Sequence, residues 1–343
     1  MEKAKVNRRK IGEFLLNNAL YFILGVIILA VILIEPKFFT ISNFINILKQ
    51  ASTKGILALG CAGLIVLAGT DLSIGRVLGL SAAVTASLVQ STEYASRMYP
   101  QITEPVSLWI PFALSILVAV IFSLINGFGV AKLHLHAFII TLGTQLIAYG
   151  TTCIYIESQP SGSAQALSTF EKPFLDIVNS TLKISDTIKI PYVIFYFLIL
   201  AAIMYFIWNK TTLGKNMFAV GGNEEAAAVS GVNVAKTIML VYLMAGVLYG
   251  IAAFLEAARV QSVGANTGIN YELDAISACV IGGVSFSGGV GNIPGVVMGS
   301  IILQAINYSL YFLGINAYLQ YIIKGLIIIL AVAIDVRKYL AKK

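Results

Sequence analysis

Uninterrupted apolar runs about twenty residues long constrain this chain more than any single motif. They occupy 18–34, 108–131, 190–208, 238–258, 293–313 and 319–335. A helix rising about 1.5 Å per residue needs about 20 such residues to cross the ~30 Å hydrocarbon core of a bilayer. Three further windows, 55–69, 72–90 and 137–156, are broken by small or polar residues, and a shorter apolar run covers 273–286. Together they predict an all-α polytopic membrane protein of about ten transmembrane helices. Only 11% of the residues are charged, against about 25% in a soluble domain. A secreted enzyme is excluded.

The basic start MEKAKVNRRK leads into a first run that continues to ILIEPKFF with no small-residue cleavage site. It reads as a retained span rather than a signal peptide. With the N-terminus inside, segments 1–17, 70–76, 132–136, 209–237, 287–292 and 336–343 face the cytoplasm and gather most of the 23 Lys and Arg, as the positive-inside rule expects. The chain then divides into a cytoplasmic N-terminal segment 1–17, a transmembrane domain 18–335 carrying a cytoplasmic loop at 209–237, and a cytoplasmic tail 336–343. Both termini are expected in the cytoplasm. The same asymmetry explains the net charge of +7 without invoking nucleic acid.

Enzyme chemistry is missing from the pattern. No Gly-x-x-x-x-Gly-Lys-[Ser/Thr] loop is present to hold nucleotide phosphates, and no nucleophile elbow or His-Glu-x-x-His helix occurs. Cys61, Cys153 and Cys279 lie in separate apolar runs, without metal-binding spacing. His134 and His136 sit together at an expected helix end, where a solvated interface suits them better than a metal pair. The chain is therefore expected to have no catalytic, cofactor or metal site of its own.

The polar residues among the spans then carry the functional reading. GTDLSIGR (69–76) interrupts two apolar runs, and sliding the sequence by 214 places sets Gly69–Gly75 on Gly283–Gly289. Both stretches read Gly, any, polar, large apolar, Ser, any, Gly. Paired glycine-interrupted segments in two halves of a transporter point to the transport path. Asp71 and Ser73 are expected to satisfy backbone amides at the first break, with Arg76 pairing to Asp71. Asp71, Ser73, Asn126, Thr144, Ser285, Ser287 and Asn307 are the candidates for the path or its gating. Glu256 and Arg259, one helical turn apart, are candidates for a structural ion pair or for a substrate contact. Lys324 is expected to snorkel toward headgroups. Few carboxylates lie along the spans, which favours passage driven from outside the chain over ion coupling.

The loop 209–237 is the most distinctive. Asn223 is placed to cap a short helix whose first turn holds Glu224 and Glu225. Gly221, Gly222 and Gly231 bound that helix, so it reads either as a protein-docking lever or as a plain connection.

The loop AVGGNEEAAAVSGVNV (219–234) resembles the cytoplasmic loop of the ribose-type sugar permeases of ATP-binding-cassette importers. So do GTDLSIG, TLGT (141–144) and YELDAISACVIGGVSFSGGVGNIPG (271–295), and the likeness runs from about residue 14 to 343. GTDLS with its Gly-Arg pair, GVSFSGGVG, INYSL and YLQYIIKG resemble the galactose/methyl-galactoside branch. Where the wider family reads Gly-Gly-[Ile/Val]-Asp, this chain has Ala68-Gly69-Thr70-Asp71. The resemblance implies a homodimer in the bacterial inner (plasma) membrane, with helices arranged as in the vitamin B12-type importer permeases. It also implies a duplicated ATPase subunit that binds ATP-Mg, an external sugar-binding protein, and surrounding lipid. Within it, Gly221, Gly222, Asn223, Glu224, Glu225, Ala226, Ala227, Ser230 and Gly231 become the ATPase-coupling loop. The alternatives are a ribose, xylose or autoinducer-2 permease of the same family, or an ion-coupled secondary sugar carrier.

Overall fold

The computed structural model of the chain describes residues 25, 29, 31, 33–160, 164–185 and 188–340. The expected N-terminal segment 1–17 and most of the first window, 18–34, lie outside the described residues, as do 341–343 of the expected tail. A single 3-10 turn, Pro36–Phe38, leads into twelve described α-helices. These are α1 Ile41–Val66, α2 Ile74–Leu88, α3 Trp109–Ala131, α4 Ala137–Glu157, α5 Lys172–Asn179, α6 Tyr192–Lys210, α7 Thr212–Gly222, α8 Glu224–Val229, α9 Val234–Val260, α10 Tyr271–Ile281, α11 Ile293–Phe312 and α12 Ala317–Leu340. Four strands of two or three residues pair antiparallel in the loops: β1 Leu167–Ser168 with β4 Ser262–Val263, and β2 Thr181–Lys183 with β3 Lys189–Pro191. The fold is thus mostly, not wholly, helical.

Five described helices, α3, α4, α6, α9 and α11, are long and apolar enough to cross a bilayer. Their surroundings differ. The central window of α9 is 67% buried, against 33%, 28% and 33% for α3, α4 and α6. Helix α11, also 67% buried, shares the core with α9, and the other three form a rim. Rim side chains such as Leu146, Ile154, Ile199 and Phe206 stand more than half exposed. Outward apolar side chains over whole helix lengths fit a lipid surrounding. Small residues bring α3 close against α9. A Cβ at Gly250 would collide with Ile116 Cα, and Ser115 Oγ donates to the Gly250 carbonyl at 2.8 Å. Such close packing is the main source of helix adhesion where lipid removes the hydrophobic drive.

Two elements depart from the apolar windows. Helix α1 begins at Ile41, ahead of the window 55–69, because the polar residues before that window find partners inside the bundle. Thr53 reaches Glu256 and Lys54 reaches Asp274, each at 2.7 Å. The helix nonetheless has 26 residues. By contrast α2 has 15 residues and α10 has 11, or about 22 Å and about 16 Å. Neither crosses a bilayer alone. The chain breaks at 67–73 and 282–292 account for both short helices.

Candidate functional site

Both breaks begin with the same helix stop. At the end of α1 the Ala68 amide bonds Ile65 O and the Gly69 amide bonds Leu64 O, each at 2.9 Å, with Ala68 left-handed at φ 58. At the end of α10 the Gly283 amide bonds Val280 O and the Val284 amide bonds Cys279 O, each at 2.9 Å, with Gly283 at φ 82. These are paired closures of the Schellman type.

The echo extends to the polar residues. Asp71 Oδ1 accepts from the Ser73 amide at 2.8 Å, and 214 positions later Ser285 Oγ accepts from the Ser287 amide at 3.3 Å. Side-chain-to-backbone turns of this kind begin a new segment without exposing its amides. The first turn is tied further into the bundle. Ser73 Oγ donates to Asp71 Oδ1 at 2.6 Å and accepts from Asn126 Nδ2 at 3.0 Å, while Asn126 Oδ1 accepts from Thr144 Oγ1 at 2.7 Å. Thr141 Oγ1 accepts from the Leu72 amide at 3.1 Å. Asp71, Ser73, Asn126 and Thr144 are all buried, and Tyr249 of α9 lies beside the Asp71 carboxylate. Irregular backbone at membrane depth survives only where protein satisfies it in this way.

Arg76 departs from expectation. Its Nη1 donates to Ala265 O at 3.2 Å, and its guanidinium lies 4.2 Å from the Tyr149 ring centroid. No ion pair joins it to Asp71 among the described residues. The carboxylate is turned back onto the start of α2 by Ser73, and Arg76 leaves that helix toward the 261–270 segment.

The loop 209–237 folds as its sequence suggests. Asn223 Oδ1 accepts from the Ala226 amide at 2.8 Å at the start of α8, and Gly231 ends it at φ 85. Ser230 Oγ closes back on Ala226 O at 2.8 Å. Gly222, Asn223, Glu224, Glu225, Ala226, Ser230 and Gly231 are exposed, whereas Gly221 and Ala227 are buried. Val229 is 91% exposed, an apolar side chain presented outward.

The buried side of this loop lies directly on the two breaks. The Gly289 amide donates to Val66 O at 2.8 Å. A Cβ at Gly221 would collide with Val66 O, and one at Gly288 would collide with Gly221 O. Gly288 and Gly289 are left-handed at φ 78 and φ 68. Three segments distant in sequence thus meet backbone to backbone. Val66 and Gly288 were not singled out by sequence reasoning, and Gly289 entered it only as the glycine that ends the echoed stretch.

Charged residues cluster elsewhere in the bundle. Arg259 makes a two-point contact with Glu256, Nη2 to Oε1 at 2.6 Å and Nε to Oε2 at 2.7 Å. Thr53 Oγ1 and Tyr271 Oη also donate to Glu256, at 2.7 and 2.6 Å, so this is a structural pair. Lys324 does not snorkel outward; it lies 3.1 Å from Asp274 Oδ1, because α12 packs against α10 and offers it a buried carboxylate. Asn307 stands apart from the Asp71 cluster on α11, one turn from Gln304, which donates to Gln50 Oε1 at 2.9 Å. Four carboxylates, Asp71, Glu256, Glu272 and Asp274, are buried, more than the apolar sequence suggested. His136 Nδ1 accepts from the Phe138 amide at 3.3 Å and caps α4.

Comparison with known proteins gives this arrangement its setting. The profile of the family described as "Branched-chain amino acid transport system / permease component" matches residues 43–332. The galactose/methyl galactoside import permease protein MglC of Escherichia coli (strain K12) is 45% identical, covering 98% of this chain and 99% of that protein. Its namesake from Salmonella typhimurium is 46% identical over the same shares. The ribose import permease protein RbsC of Haemophilus influenzae is 35% identical, covering 100% of this chain and 99% of its own length. No solved structure matches. On a match of this extent, with five described helices that suit a bilayer, the chain belongs to this family of transport-system permease components.

Proposed function

We propose that the chain is the membrane-spanning permease subunit of an ATP-binding-cassette importer for galactose and methyl galactosides. The observation that carries the substrate is the 45% identity with the Escherichia coli galactose/methyl galactoside permease over nearly the whole of both chains. The ribose permease likeness, at 35%, supports ribose as the second reading. In this reading two copies form the passage in the inner membrane, each with about ten spans in the vitamin B12-type arrangement. The domain bounds are 1–17, 18–335 and 336–343, with both termini cytoplasmic. A duplicated ATPase subunit holds ATP-Mg below the loop 209–237, and a sugar-binding protein delivers the substrate from outside.

The geometry supports a mechanical role for the loop. Helix α8, capped by Asn223, presents its exposed face to the ATPase. Its neighbour Gly221 bears on Val66 and Gly288 without an intervening side chain. A push on α8 is therefore delivered to both breaks at once, at the ends of α1 and α10. Close backbone contact transmits displacement because packed interfaces shift between discrete arrangements rather than deform smoothly. Asp71, Ser73, Asn126 and Thr144 hold the start of α2 as one body during that movement.

Uptake of labelled galactose, ribose and xylose separates the readings. The chain and its partner subunits are placed in cells lacking their own importers. Galactose uptake suppressed by methyl galactoside is the expected result. Ribose-only uptake overturns the substrate and leaves the family intact.

A further inference from the structure

A cleft of about 540 Å³ opens between α3 and α6, with the core helix α9 as its floor. Trp109 and Phe112 of α3, Leu200 of α6, and Ile251 and Phe254 of α9 line it, joined by Ile177 of α5. The lining carries no charged residue, and its polar side-chain atoms are the Tyr196 hydroxyl and the Trp109 indole N–H. Its floor is braced by aromatic contacts. Phe254 packs edge-on against Phe112 and Phe174, with ring centroids 5.2 and 5.1 Å apart.

The helix ends give the depth of the cleft. Helix α6 has 19 residues, about 29 Å, so it just spans a ~30 Å hydrocarbon core. Its first residue, Tyr192, therefore stands at the interface. Tyr196 and Leu200 lie about 6 and 12 Å along from it, and Leu255 and Ile251 about 8 and 14 Å back from Val260, the end of α9. The cleft thus occupies the hydrocarbon of one leaflet, the outer one in the proposed orientation. Trp109, the first residue of α3, is 77% exposed beside it, as suits an interfacial aromatic belt.

The surroundings point to the occupant. Water has no polar partners in so apolar a site. The described end of the first apolar window packs elsewhere, with Val31 clustered against Phe38, Ile47 and Ala305. Both flanks of the cleft run on into outward apolar side chains, Ile110 and Leu117 on α3 and Leu198 and Ile203 on α6, each about half exposed. The cleft is therefore continuous with the lipid-facing rim.

We infer that this cleft is a lipid site, in which one acyl chain of a bilayer phospholipid lies along α9 between α3 and α6. A lipid beside the rim touches one helix, whereas a chain in the cleft is contacted from three. The many added dispersion contacts slow its exchange with the bilayer and make it part of the packing around α9. The inference requires only that these helices cross a bilayer, and it stands apart from the choice of sugar.

The test places the complete transporter in proteoliposomes containing a phospholipid with a photoreactive diazirine in its acyl chain. After irradiation, labelled residues are located by mass spectrometry. Label is expected on Ile251, Phe254 or Leu255 of α9, as well as on rim residues such as Ile147 of α4. Ile199→Trp spreads a ring over the cleft from a position 57% exposed, so the fold tolerates it. It is expected to lower the α9 label by about tenfold, equivalent to ~1.4 kcal/mol of lost affinity, with the rim label unchanged. Ile147→Trp, on α4 and outside the cleft, leaves the α9 label at the parental level. Label confined to the rim, or α9 label that Ile199→Trp does not reduce, overturns the site. Ile199→Cys tests the other occupant: a disulfide joining two copies under mild oxidation puts a second copy in the cleft and likewise overturns the inference.

Discussion

The Gly289 amide donates to the Val66 carbonyl at 2.8 Å, joining the last turn of α1 to the loop between α10 and α11. Gly221 sits against the same carbonyl, with space for hydrogen but not for a methyl group. The loop and both breaks are therefore one mechanical junction, and substitutions there separate assembly from coupling.

Gly221→Val forces a side chain into the Val66 backbone. Overpacking of this sort typically costs ~1–3 kcal/mol, and here it also lifts the loop off the breaks. Sugar uptake is expected to fall by at least about tenfold, with reduced thermal stability of the detergent-solubilised transporter. Uptake and melting temperature at parental values refute the junction.

Gly222 has open space around it, and Ala226 is exposed. Gly222→Asp and Ala226→Glu are therefore expected to insert and fold normally. They place charge on the face that meets the ATPase, so ATP hydrolysis continues without matching sugar uptake. The ratio of ATP hydrolysed to sugar imported reads this out, and an unchanged ratio in both variants refutes the docking role.

The α8 cap was legible because its signal is local: Asn223 and the Ala226 amide that donates to it are three residues apart. The echo of Asp71 and Ser73 in Ser285 and Ser287 was legible for the same reason. The Glu256–Arg259 pair needed only helical spacing. Long-range partnerships were not legible. Arg76 had a carboxylate nearby in sequence, but its contacts are with Tyr149 and Ala265. Lys324 looked like a snorkelling residue because Asp274 is fifty positions away. The apolar windows likewise located the long helices well, yet missed the polar first half of α1, whose hydrogen-bonding partners lie on α5, α9, α10 and α11.

Asp71 gives a graded prediction. Asp71→Asn keeps an Oδ1 to accept from the Ser73 amide, and there is no Arg76 pair to lose. Asp71→Ala leaves that buried amide and hydroxyl without their acceptor, at a cost of about 1–3 kcal/mol. The melting temperature of the purified transporter should fall clearly for alanine and little for asparagine. Equal losses in the two variants contradict the turn-forming role.

Glu256 and Arg259 offer the sharpest test of what holds the core helix. Glu256 is fully buried and accepts from Arg259, Thr53 and Tyr271, so it ties α9 to α1 and α10. Glu256→Gln keeps much of the shape but strands the Arg259 charge. Breaking one partner of a buried pair typically costs about 3–5 kcal/mol. Removing both charges with Glu256→Leu and Arg259→Met together costs less, because no lone charge remains, although Thr53 and Tyr271 lose an acceptor. The expected order of stability is therefore parent, double variant, then Glu256→Gln. Thermal unfolding in a single detergent measures it. A double variant no more stable than Glu256→Gln assigns the loss to the hydroxyl partners and not to the charge pair.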